Sequence, residues 1–153
     1  MNVEIIHVTK NADLDECIAI RREVFVDEQG VSEEEEIDEQ DVVGVGHHLY
    51  VRDDAGVPVA TARYKRYDDE TAKIQRVAVR KPYRAGGYGR VVMEAIEQMA
   101  KSDGFRAAVL DAQCHAEGFY KKLGYTTISE NPFLDAGILH VRMKKPLTSS
   151  SGE

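Results

Sequence analysis

The sequence predicts an α/β fold built on one mixed sheet. A meander of strand-like segments fills the first half of the chain, and strands alternate with helices in the second half. The chain has 153 residues, 42% of them hydrophobic, which suits one core and is too short for two ordinary domains. We expect a single domain over residues 1–146. A disordered polar tail, LTSSSGE, follows at residues 147–153.

The elements follow from local pattern. Residues 3–8 (VEIIHV) are rich in β-branched side chains and read as a strand. Asn11 and Asp13 offer helix caps, and Leu14, Cys17, Ile18, Arg21, Val24 and Phe25 recur at helical spacing up to Gln29-Gly30. The run VSEEEEIDEQD (Val31 to Asp41) repels itself and is expected to stay exposed, with at most one helical turn. Such a run is either a solvated face or an electrostatic gate for a cationic amine. His47 to Arg52 alternates as a strand, and the turn Asp53 to Gly56 leads into a second strand, Val57 to Arg66. A third strand runs from Ala72 to Arg80. Simple alternation puts Val77 and Val79 on one face of it, and Ile74, Arg76 and Ala78 on the other. Val91, Val92, Ala95, Ile96, Met99 and Ala100 then mark an amphipathic helix that stops at Asp103-Gly104. A buried strand (Arg106 to Ala112), a helix (Ala116 to Tyr125, closed by Gly124) and a last strand (Gly137 to Met143) complete the order.

Charge and composition exclude several classes. Lys plus Arg is 20 and Asp plus Glu is 27, so the net charge is −7 and nucleic acid is not an expected partner. No apolar run reaches the ~18 residues of a membrane span. Glu4 interrupts the only apolar stretch near the N-terminus, so no signal peptide is expected. Cys17 and Cys114 form neither a C-x-x-C pair nor a disulfide framework, so no metal is expected and a cytoplasmic setting is.

The most informative segment is KPYRAGGYGR (Lys81 to Arg90), between a strand and a helix. Its glycines permit close approach of a ligand to the backbone. First-turn amides of the following helix lack internal partners and, with the helix dipole, suit an anion such as a diphosphate. Arg84 and Arg90 add positive charge. No G-K-[ST] follows, so this is not a P-loop, and the G-x-G-x-x-G order of a dinucleotide fold is absent.

Arg84, Gly87 and Gly89, with Ala85, Gly86 and Tyr88 between them, spell R-x-x-G-x-G. This resembles the acetyl-CoA diphosphate loop of the GNAT superfamily of N-acyltransferases. About thirty residues on, FYKKLGY (Phe119 to Tyr125) resembles that superfamily's second marker. Nearly the whole chain, residues 3–145, falls under the likeness. RREVFVDEQG, EEIDEQD, LDAQCHAEGFY and DAGILHVRM are similar to the ElaA-like and YjcF-like branch, which has been grouped with glucosamine-6-phosphate N-acetyltransferases. The resemblance implies a central mixed, largely antiparallel sheet with splayed strands flanked by helices. It implies acetyl-CoA as co-substrate and a small primary amine, such as an amino sugar phosphate, as acceptor. Backbone groups of Val77, Ala78 and Val79 would hold the pantetheine arm, and the amides from Arg84 to Arg90 the diphosphate. Tyr120 falls on the general-acid position. Gln113 stands where many members have Asn, a longer amide for orienting the arm.

The base is open among His140, Glu28 and His48, in that order, or a water chain. Cys114 lacks a partner base for covalent catalysis. The competing class is a non-catalytic acyl-CoA-binding or sensing domain. A peptide N-terminus as acceptor and a homodimer through an exposed sheet edge also stay open.

Overall fold

The computed structural model describes residues 2–147. Its strands are β1 (Glu4–His7), β2 (His47–Arg52), β3 (Pro58–Arg66), β4 (Thr71–Val79), β5 (Ala107–Gln113), β6 (Thr126–Thr127), β7 (Phe133–Asp135) and β8 (Ile138–Pro146). They form one sheet in the order β1-β2-β3-β4-β5-β8-β6, with β7 also on β8. Every pairing is antiparallel except β4 with β5. That parallel pairing runs only from Thr71↔Ala107 to Ile74↔Leu110, although β4 continues to Val79 and β5 to Gln113. The two strands therefore part, as expected, and leave a gap in the middle of the sheet.

Helices cover both faces. α1 (Asn11–Arg21) buries Cys17 and Ile20 against Tyr50 and Ala78 on one face. On the other face α3 (Tyr88–Ser102) buries Val92, Met93, Ile96 and Ala100 against Leu49, Ala62, Ile74 and Leu110. Each of the valine, leucine, isoleucine and methionine side chains among these contributes about 1.5–3 kcal/mol when fully buried. α4 (Glu117–Lys122) shares this second face and packs Tyr120 on the same core. The first helix ends where expected, with Gly30 at φ +77°, but its last part, Arg22–Glu28, is wound as a π-helix. The wider turn keeps Val24 buried while Phe25, Glu28 and Gln29 face the gap.

Three expectations are corrected. First, β4 does not alternate simply. Its register with β3 slips between Thr61↔Ala78 and Arg63↔Gln75, and Arg76 has φ +57°. This bulge puts Ile74 on the same core as Val77 and Val79, and Ala78 on the opposite one. Second, the tail does not begin at 147. Leu147 is buried in the core and its N–H donates to Arg106 O at 2.7 Å. The rest of the expected tail, residues 148–153, lies outside the described residues.

Third, the acidic run does bury charge. Its one helical turn, α2 (Glu33–Glu36), is present, and Glu33, Glu34 and Glu35 are exposed. Glu36 and Asp41, however, are buried against arginines that the sheet and α1 supply. Arg21 donates from Nε to Glu36 at 2.8 Å and from Nη1 to Asp41 at 2.6 Å. Arg63, from β3, donates to Asp38 at 2.8 and 2.6 Å and to Asp41 at 2.9 Å. Arg76 reaches Glu36 at 3.1 Å. Self-repulsion within the run is offset by three guanidinium groups brought from distant positions in the chain.

Burial alone would raise the pKa of Asp41. Hydrogen bonds from Arg21 and the Asp38 N–H, with the charges of Arg21 and Arg63, outweigh it and hold the carboxyl well below the usual range. Asp41→Asn should therefore destabilise the fold by about 3–5 kcal/mol in urea unfolding at pH 7, as expected when one partner of a buried pair is removed. The folded-state pKa lies below the unfolded value of about 3.9, so this stability is present above that pH and lost as acid titrates the folded carboxylate. The difference between wild type and variant should hold from pH 7 down to about 5, begin to shrink near about 4, and vanish only as pH falls through the folded-state value well below that.

Candidate active site

A cavity of about 610 Å³ fills the gap between β4 and β5. Val77, Ala78, Val79, Arg84, Gln113, Tyr120, Glu28 and His140 all line it. The remaining expected binding residues, Ala85, Gly86, Gly87, Tyr88, Gly89 and Arg90, form the turn after β4 and the first turn of α3, outside the lining. His48 is not in the cavity. It is buried on β2, its Nε2 lies 2.8 Å from Gln40 O, and burial pushes its pKa down.

The glycine bend has the unpaired amides that its sequence suggests, with two exceptions. A 3-10 turn (Lys81–Tyr83) precedes it. Arg84 N–H donates to Lys81 O and Gly86 N–H to Tyr83 O, so those two are spent. Among the described residues, the N–H groups of Ala85, Gly87, Tyr88, Gly89 and Arg90 have no acceptor. Gly87 caps α3 at φ +83°, the left-handed region that L side chains avoid. A Cβ on Gly89 would meet the Phe119 ring at 3.0 Å. The two fixed glycines thus serve different needs, one conformational and one steric.

The charged groups around the bend are already engaged. Arg84 donates to Val79 O at 2.9 Å and to both oxygens of Glu28, at 2.5 and 2.7 Å. This pairing holds the Glu28 carboxyl below the usual carboxylate range. Arg90 is exposed and lies 3.5 Å from Glu94. In β4, the N–H of Arg80 bonds Val59 O, which by alternation turns the backbone groups of Ala78 toward β3 as well. The backbone groups of Val77 and Val79 therefore face the gap, while those of Ala78 do not.

Gln113 ends β5 and is tied across the cavity. Its Nε2 donates to Gln29 Oε1 at 2.9 Å, and its Oε1 lies 2.8 Å from His115 Nε2. Gln29 has no local sequence signal, because its partner is 84 residues away. Tyr120 is half-buried, its ring edge-on to Tyr125, and burial pushes its phenol up to about 12. Its hydroxyl has no hydrogen-bond partner among the described residues. His140 is 8% exposed, and its ring stacks on Phe133. His140 Nδ1 lies 2.7 Å from Ile138 O. A carbonyl only accepts, so Nδ1 carries the proton and the lone pair of the neutral ring sits on Nε2. Cys17 is buried beside Leu49 O and its thiol is pushed up to about 11 by burial, whereas Cys114 is a half-buried free thiol in the turn after Gln113.

The family is shown by comparison with known proteins. The acetyltransferase (GNAT) domain model matches residues 14–147, and the chain belongs to that family of N-acetyltransferases. The uncharacterised N-acetyltransferase YjcF of Bacillus subtilis is 42% identical over 139 residues, covering 90% of this chain and 96% of that protein. Among solved structures, one from Lactobacillus plantarum has a TM-score of 0.88 at 29% identity, over 97% of this chain and 100% of its own. ElaA of Escherichia coli has a TM-score of 0.79 at 25% identity, over 94% and 98%. No helix among the described residues is long and apolar enough to cross a membrane.

The two glycines give a direct test of this geometry. Gly87→Ala should lower stability by about 1–2 kcal/mol, the cost of a left-handed L residue, read from the urea midpoint. Gly89→Ala should cost less than about 1 kcal/mol, because the partly exposed Phe119 ring can move aside.

Proposed function

We propose that this chain transfers the acetyl group of acetyl-CoA directly to a primary amine of a small molecule. The carrying observation is the gap between β4 and β5, with unpaired amides beyond one end and a protonated phenol and an imidazole lone pair in its wall. In this reading the diphosphate sits on the amides of Ala85, Gly87, Tyr88, Gly89 and Arg90. The amides carry this role rather than the Arg84 side chain, which Glu28 and Val79 O already occupy. The pantetheine arm runs along the gap on the backbone groups of Val77 and Val79, and Gln113 meets it by exchanging its bond to Gln29.

The chemistry follows from the protonation states. The nitrogen lone pair of the acceptor attacks the thioester carbonyl carbon, and His140 Nε2 takes the proton that the nitrogen sheds. The C–S bond breaks, and the departing sulfur takes a proton from the Tyr120 hydroxyl. The products are an N-acetylated amine and coenzyme A, and the phenolate is reprotonated from water. A phenol at about 12 remains a proton donor at neutral pH. Glu28 ranks below His140 as base because its carboxylate is committed to a guanidinium. With two free thiols, the setting we propose is the cytoplasm.

The direct assay is release of coenzyme A thiol from acetyl-CoA across a panel of amines. Tight coenzyme A binding with no amine-stimulated release would replace this reading with a sensing domain. Tyr120→Phe should lower kcat by about 10²–10⁴ while calorimetric affinity for coenzyme A stays within about twofold. His140→Ala should lower kcat/KM by about 10²–10⁴ with coenzyme A affinity kept within about twofold, and an unchanged kcat/KM would shift the base elsewhere.

A further inference from the structure

The charges that line the cavity do not cancel, and their arrangement bears on the acceptor. Every cation of the lining has a carboxylate. Lys73 lies 3.3 Å from Asp111, Arg76 lies 3.1 Å from Glu36, and Arg84 is held by Glu28. Arg142 shares Asp111 with Lys73, but it lies outside the lining and over the rings of Tyr67 and Phe133. Two carboxylates of the lining remain without an ion pair among the described residues: Glu35, on α2, and Asp135, at the end of β7.

Asp135 stands beside the imidazole. In the β7–β8 hairpin, Phe133 pairs with His140 and Asp135 with Ile138, so these four side chains share one face. Leu134 and Leu139 take the opposite face and are exposed, and Asp135 is itself exposed to solvent where it lines the cavity. Asp135 is thus the diagonal neighbour of His140, roughly 7–8 Å away. The tight turn between them, Ala136 at φ +50° and Gly137 at φ +78°, fixes that spacing. His140 itself is more than nine-tenths buried, and its Nε2 has no partner among the described residues.

We propose that Asp135, assisted by Glu35, selects acceptors that carry a second cationic group, so that the acceptor class is a linear diamine or a longer polyamine. The deepening rests on the N-acetyl transfer reading. One nitrogen loses its proton to His140 and is acetylated, while the other stays an ammonium ion on the carboxylate. A phosphorylated amino sugar fits this cavity poorly, since no lining cation is free for its phosphate and two carboxylates repel it.

The test separates binding from turnover. With the protein saturated in coenzyme A, 1,4-diaminobutane, butylamine and glucosamine 6-phosphate are titrated by calorimetry. The diamine should bind about five- to tenfold more tightly than butylamine, and the sugar phosphate more weakly than either. Asp135→Asn keeps the turn chemistry and should bring the diamine-to-butylamine ratio to within about twofold, with a smaller drop for Glu35→Gln. Equal wild-type affinities, a ratio that survives both substitutions, or preferred binding of the sugar phosphate would overturn the proposal. Thiol release from acetyl-CoA is then measured with the same amines. Diamine binding without release would overturn the transfer reading and leave the charge selection standing. Release with butylamine but no diamine preference would do the reverse.

Discussion

Three arginines facing three carboxylates, four of the six groups buried and Asp38 and Arg76 partly exposed, hold the acidic loop on the sheet. Arg21 comes from the first helix, Arg63 and Arg76 from neighbouring strands, and Glu36, Asp38 and Asp41 from a loop with no apolar anchor of comparable size. Desolvating six charges is costly, and the arrangement is favourable only because nearly every lone pair and N–H is used. Each member contacts two of opposite sign, so removing one leaves its opposites with a single partner and an uncompensated share of their burial cost. The network therefore works as a registration device, since it fixes the loop at the position over the sheet where these ion pairs form together, with only the Arg63 Nε left without a partner among the described residues.

That position shapes the cavity in two ways. The loop becomes a wall, with Glu35 and Glu36 in the lining. It also supports the left-handed backbone of Arg76, whose guanidinium reaches Glu36 and whose side-chain donors bond the carbonyls of Glu35 and Glu36. A bulky residue at positive φ costs roughly 1–3 kcal/mol and persists where its surroundings fix it. The bulge then turns Val77 and Val79 so that their backbone groups face the gap instead of a neighbouring strand. An ion cluster on one face of the sheet thus decides which peptide groups are free in its middle. Glu28 and Gln29, adjacent at the end of the π-helical turn, hold Arg84 and Gln113 across that same gap.

The fold was legible because its signals are local. Alternation in β2 and β3, the apolar stripe of α3 and the glycines after β4 each depend on neighbours within a few residues. The glycine bend and the F-Y-x-x-x-G-Y segment were legible for the same reason, and they carried the family. What escaped was set by partners far away. The burial of Glu36 and Asp41 needed Arg21 and Arg63, the loss of simple alternation in β4 needed a slip against β3, and the exclusion of His48 needed the loop that covers it. Leu147 looked like tail because its contacts, with Arg106 and the core, lie some forty residues earlier. Gln113 and Arg84 both line the cavity, yet their partners there, Gln29 and Glu28, carry no sequence signal.

The two thiols differ in a way that has practical value. Cys17 is sealed beneath the first helix, whereas Cys114 sits half-buried one residue past Gln113, where the cavity meets the turn before α4. An alkylating fluorophore would accordingly attach at one place, one residue from the Gln113 amide. The protein supplies its own labelling handle beside the cavity, with no cysteine to engineer in or out.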